Sequence, residues 1–152
     1  MLNLDPATLF SRIFVLFTAL TVHEFAHAWT ANYFGDSTPK VNGRLTLNPL
    51  AHLDPLGSLM LIVAGFGWAK PVPINPYILR RKSDSALMWV SLAGPLSNFL
   101  LAVLAAIPFR LNFFSTNEAY LGLFQNTSRW LPSLPQLLGT FLIVNLSLML
   151  FR

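Results

Sequence analysis

The chain has 152 residues, of which 54% are hydrophobic and only 11% charged, and its mean hydropathy is +0.56. Soluble domains carry about 25% charged residues, so an ordinary water-soluble globule is a poor fit and a single domain over residues 1–152 with lipid-facing surface is expected. The absence of cysteine excludes disulfides and thiolate ligands, and the net charge of +4 comes from basic residues in gaps between apolar runs, which argues against nucleic acid as a partner.

The start, "MLNLDPATLF", lacks a basic region and a small-residue cleavage site, so no removable signal peptide is expected. Residues 8–34 form the first apolar run long enough to span a bilayer, with Asp5 and Pro6 able to start a helix and Gly35 to end it. Residues 36–54, "DSTPKVNGRLTLNPLAHLD", are loop-like. Within them "VNGRLTL" carries a turn signal followed by alternation, which predicts a small β-hairpin or edge strand. Residues 55–69, "PLGSLMLIVAGFGWA", are apolar but short, a length that favours a re-entrant or interfacial segment over a spanning one. "KPVPINPYILRRK", residues 70–82, begins extended because of its prolines. Residues 86–109 and 134–151 make the second and third candidate spans, with Ser83 or Asp84 placed to cap the former. Trp68, Trp89 and Trp130 fall where interface residues fall. "NTS" at 126–128 is a glycosylation acceptor only in a glycosylating compartment.

These elements predict an all-α polytopic membrane protein of about three spanning helices plus a re-entrant or short fourth apolar segment. Lys40 and Arg44 lie in one loop and Lys70, Arg80, Arg81 and Lys82 in the other. A re-entrant 55–69 puts both loops on one face, which the positive-inside rule makes cytoplasmic. The expected location is the cell membrane, with multiple passes and the lipid bilayer as a partner.

Inside the first run sits "HEFAH". His23 and His27 are four apart, hence on one helical face and within reach of a single metal ion. Glu24 points to the flank, where it can meet water at the metal. This is the pattern of zinc hydrolases, with two histidine ligands and a glutamate as general base. Zinc suits such a site because it takes nitrogen and oxygen ligands and activates water at neutral pH. Ionisable groups in a spanning segment are rare and carry function by default. A proton relay or a polar cluster for helix association is the competing use, and neither requires this spacing.

The chain resembles the site-2 protease family of intramembrane zinc metalloproteases, in its short prokaryotic branch. "HEFAHAW", "GRLTLNPLAHLDPLGSL", "GWAKPVPINP", "SLAGPLSNFLLA" and "NLSLMLF" carry the resemblance in order along nearly the whole chain. It implies Zn2+ as cofactor, His23 and His27 as metal ligands and Glu24 as catalytic base. The reaction implied is peptide-bond hydrolysis in a membrane-protein substrate helix that unwinds locally into the site. The resemblance also places Gly94, Pro95 and Asn98 on the helix packed against the metal helix, where small residues allow close approach.

The resemblance also implies a third ligand, an aspartate in a motif like "FNLLPIPPLDG", which lies beyond Arg152. Residues 1–152 are thus expected to be a metalloprotease core lacking the C-terminal part of its last helix. Three accounts are open. The chain is a fragment of a longer protease. It is a truncated, non-catalytic membrane protein that binds metal or a partner helix. Or Asp54, or a partner chain, supplies the ligand. His52 and Asp54 otherwise read as turn chemistry before Pro55. Substrate identity and oligomeric state are not encoded in any motif.

Overall fold

The computed structural model describes residues 6–64, 68–124 and 130–150. Among these described residues seven helices follow one another: α1 Pro6–Tyr33, α2 Thr38–Val41, α3 Pro55–Ala64, α4 Pro76–Lys82, α5 Ala86–Arg110, α6 Thr116–Phe124 and α7 Leu134–Leu150, with a 3-10 turn at Pro49–Ala51. Two of them, α1 with 28 residues and α5 with 25, are long and apolar enough to cross a membrane. The third candidate, α7, has 17 residues and falls short of that length. The chain groups into two compact units, Met1–Ala19 with Asn98–Arg152, and Leu20–Ser97.

One local device starts several elements. An Asn or Asp stands before proline, caps the first turn through its side chain, and leaves the proline in the first turn, where no N–H is needed. Asn48 Oδ1 accepts from Leu50 N at 3.1 Å. Asp54 Oδ1 accepts from Gly57 N at 2.8 Å, and Asn75 Oδ1 from Tyr77 N at 3.1 Å. A second device ends them. Gly35 (φ 91) and Gly43 (φ 66) close α1 and α2, and Asn112 (φ 58) closes α5. Each time a 6→1 and a 5→2 backbone bond form together, as in Asp36 N to Ala31 O with Gly35 N to Asn32 O, and Phe113 N to Pro108 O with Asn112 N to Phe109 O. This is the Schellman arrangement, which satisfies the last helical carbonyls with the chain's own amides.

The same arrangement corrects one expectation. No strand is present among the described residues, and the predicted hairpin at "VNGRLTL" is not formed. The turn signal at Asn42–Gly43 is used to terminate α2, with Arg44 N bonded to Pro39 O at 2.8 Å. Arg44 then turns inward, buried, and donates to Ala51 O and, at 3.5 Å, to Lys70 O. Its neighbours are therefore committed to a clip between loops rather than to a ladder.

In the unit Leu20–Ser97, α3 leaves and the chain comes back to where it started. Leu53 and Ala69 form an isolated antiparallel bridge, Lys70 N donates to His52 O at 2.9 Å, and a Cβ on Gly57 would strike the Trp68 backbone. Entry and exit of this apolar segment are side by side. A ten-residue helix rises about 15 Å, roughly half of a bilayer core. In the same unit, Ala31, Leu79, Ala86 and Val90 form a buried cluster joined by Phe34, Ile74 and Leu87. In the other unit, α6 packs on α7, and Gln136 Nε2 donates to Thr8 Oγ1 at 3.3 Å. The sequon at 126–128 lies outside the described residues.

Candidate metal centre

The "HEFAH" turn lies in the second half of α1, within the unit Leu20–Ser97. The i, i+4 spacing sets the His23 and His27 rings edge to face, with centroids 4.7 Å apart and planes 75° apart. His23 is 1% exposed and Glu24 is fully buried. His27 Nδ1 lies 2.6 Å from the carbonyl of Val90 on α5. A carbonyl only accepts, so Nδ1 carries a proton, and in the neutral ring Nε2 keeps its lone pair. Metal-binding histidines are set in this way, with the far nitrogen hydrogen-bonded to a carbonyl or carboxylate.

Gly94 on α5 shows where the two rings aim. A Cβ built there would overlap Nε2 of both His23 and His27 and lie 2.6 Å from His23 Cδ2. Both nitrogens thus converge on a point that only a residue without a side chain leaves open. Ser97 Oγ bonds the Gly94 carbonyl at 2.7 Å and turns its own polar group away along the helix. Glu24 is fixed from a third direction, its Oε2 accepting from the backbone N–H of Val72 at 3.2 Å.

This donor set fits a zinc ion in part. Two imidazole nitrogens converge on one point, and one ring is oriented by a carbonyl, as is usual for Zn–N ligation. A catalytic zinc takes three protein ligands, and no cluster of three metal-binding side chains occurs among the described residues. The structure does not bring His52 or Asp54 to the pair. His52 Nε2 donates to Thr46 O at 2.8 Å, and Asp54 caps α3. Both therefore have the turn roles their sequence context suggested. Sequence reasoning missed Val72 and Asp36, and it saw Gly94 only as a packing residue. Asp36 is completely buried, and its two oxygens accept from Thr38 N at 3.0 Å and Asn75 N at 2.6 Å. Its signal was a carboxylate directly after a helix-ending glycine, before "STP".

The family model for peptidase family M50, the site-2 proteases, matches residues 11–149. The chain belongs to this family. Curated relatives are named "Putative zinc metalloprotease YwhC", from Bacillus subtilis, and "Putative zinc metalloprotease Rip2", from Mycolicibacterium smegmatis and Mycobacterium tuberculosis. The chain is 49% identical to the first over 90 residues, which is 59% of this chain and 41% of that protein. For the two Rip2 proteins the identities are 42% over 92 residues and 36% over 115. Those matches cover 57% and 68% of this chain, and 34% and 43% of the relatives. The chain thus spans less than half the length of the relatives it matches. No solved structure matches it.

Proposed function

We propose that this M50 chain is the core of an intramembrane zinc metalloprotease that hydrolyses peptide bonds in spanning segments of other membrane proteins. The observation that carries this reading is the convergence of His23 Nε2 and His27 Nε2 on the opening at Gly94, with Glu24 buried beside them. His23 and His27 would hold the zinc, and an aspartate from a longer chain would complete it. Bound there, zinc supplies a Lewis acid that polarises a carbonyl and activates water. Glu24 would accept the proton of the attacking water and pass it to the leaving amine. The substrate helix has to unwind locally, since helical carbonyls are already hydrogen-bonded and shielded.

We place the protein in the cell membrane as a multi-pass protein, with α1, α5 and a completed α7 spanning and α3 re-entrant. The side-by-side entry and exit of α3 support that topology. So does the joining of residues 36–54 to 70–82 by Asp36, Arg44 and His52, since these are the two loops that carry Lys40, Lys70, Arg80, Arg81 and Lys82. The water-accessible loops and the zinc motif's helix then meet on the cytoplasmic side.

The test is Glu24→Gln in the full-length gene product, co-reconstituted with single-span membrane proteins in liposomes. Cleavage disappears and zinc stays bound. Unchanged turnover in that variant would sink the mechanism. The competing reading is a non-catalytic membrane protein that binds metal or a partner helix, and the lack of a three-ligand cluster among the described residues favours it. A reading frame that ends without the third ligand, in a protein that holds no zinc, decides for it.

A further inference from the structure

Residues 69–75 form a strap fastened at both ends. At the start, Ala69 pairs with Leu53 and Lys70 N donates to His52 O at 2.9 Å. The buried Arg44 side chain spans the same corner. At the far end, Asn75 N donates to Asp36 Oδ2 at 2.6 Å, and Asp36 is anchored in turn by Thr38 N. Midway, Val72 N donates to Glu24 Oε2 at 3.2 Å. Residues 71 and 73 are prolines, which have no N–H. Val72 is thus the one backbone donor in "PVP", and that donor faces the zinc-motif glutamate.

The geometry points to the Val72 backbone amide as a positioning group for Glu24, held in place by the Asp36 and Leu53–Ala69 fastenings. A carboxylate caught through one oxygen does not turn freely about its last bond. The strap, rather than the rotamer preferences of Glu24 alone, then sets which lone pairs face the reacting water. A bond from a neutral donor to a carboxylate is among the stronger kinds in a protein interior. Prolines on both sides hold the strap extended, so the amide is presented at little entropic cost. This inference rests on the proposed role of Glu24 as the base.

The sequence makes the bond directly observable. In the full-length product the Glu24 carboxyl resonance is the one that disappears in Glu24→Gln, and Glu118→Gln removes the one other glutamate of residues 1–152. Residues 1–152 also hold a single Pro–Val pair, residues 71–72, so with proline labelled with 13C and valine with 15N the Val72 amide is the Pro–Val resonance that is absent in Val72→Ala. In nanodiscs, Val72→Pro removes the donor and moves the Glu24 carboxyl resonance, whereas Val72→Ala keeps the donor and leaves it in place. Turnover in Val72→Pro falls about tenfold to a hundredfold, with KM and zinc content unchanged. Where Val72→Pro does not fold, the Val72 amide resonance in Glu24→Ala decides, since that variant removes the acceptor and leaves the strap intact. A carboxyl resonance indifferent to Val72→Pro, an amide resonance indifferent to Glu24→Ala, or full turnover in Val72→Pro overturns the assignment. If instead Glu24→Gln cleaves normally, the role of Glu24 as base fails while the labelled resonances still report the bond, so the two failures are told apart.

Discussion

Replacing Gly94 by alanine puts a methyl group at the point toward which both imidazoles aim. The new carbon would overlap Nε2 of His23 and His27. Ordinary contact begins near ~3.5 Å, so each ring has to give way by about 1 Å. Zinc–nitrogen bonds tolerate shifts of only about 0.2 Å. His27 cannot swing away without losing its bond to the Val90 carbonyl. Displacing even an outer-shell partner typically costs tenfold to a hundredfold in metal affinity, and here both ligands are displaced, so a loss of at least about a hundredfold is expected. Stability should change far less. Overpacking costs about 1–3 kcal/mol, offset by roughly 1 kcal/mol for replacing a mid-helix glycine with alanine. The assay is zinc titration against a competing chelator in detergent, with helix content and thermal unfolding of the metal-free protein read alongside. Zinc affinity equal to wild type in a folded Gly94→Ala protein would refute the convergence of the two nitrogens on that point. A wild type that binds no zinc would instead count against the metal reading itself.

Asp36→Ala leaves the amides of Thr38 and Asn75 without their buried acceptor and should destabilise the protein by about 2–4 kcal/mol, with Asp36→Asn intermediate, measured by denaturant unfolding in micelles. Gly57→Ala drives a methyl into the backbone of Trp68, whose nitrogen and Cγ would lie 3.0 Å away, and should cost about 1–3 kcal/mol in the same assay. Stripping the metal with a chelator should stop cleavage by the full-length protein and leave helix content unchanged. Zinc should restore activity, and a chelator-resistant activity would exclude the metal.

The parts of the site that sequence reveals are those a helix places by itself. His23, Glu24 and His27 lie within five consecutive positions, and the pitch of one helix decides their geometry. The rest of the site is tertiary. Val90 lies 63 residues from His27 and Val72 lies 48 from Glu24, so neither partnership leaves a local trace. Asp36 and Asn75 are 39 apart and each resembles a routine turn residue. The long apolar runs of α1 and α5 were legible because about 20 apolar residues have few other uses. The hairpin expectation failed for a physical reason. Asn–Gly is a strong turn signal, but Pro39 in the first turn of α2 had already made the preceding residues helical, so the same glycine served as a helix stop.

The Schellman closures at Gly35 and Asn112 also bear on the lipid. At about 1.5 Å per residue, α1 and α5 are roughly 42 and 38 Å long, against a hydrocarbon core of about 30 Å. Their C-terminal ends are tied off by the chain's own amides, so neither helix sheds a turn at that end to match a thinner bilayer. The mismatch has to be absorbed by inclination or by terminal turns standing among the headgroups. On the proposed topology the C-terminal half of α1 carries the His23–His27 pair, so bilayer thickness would set how deep in the membrane that pair rides.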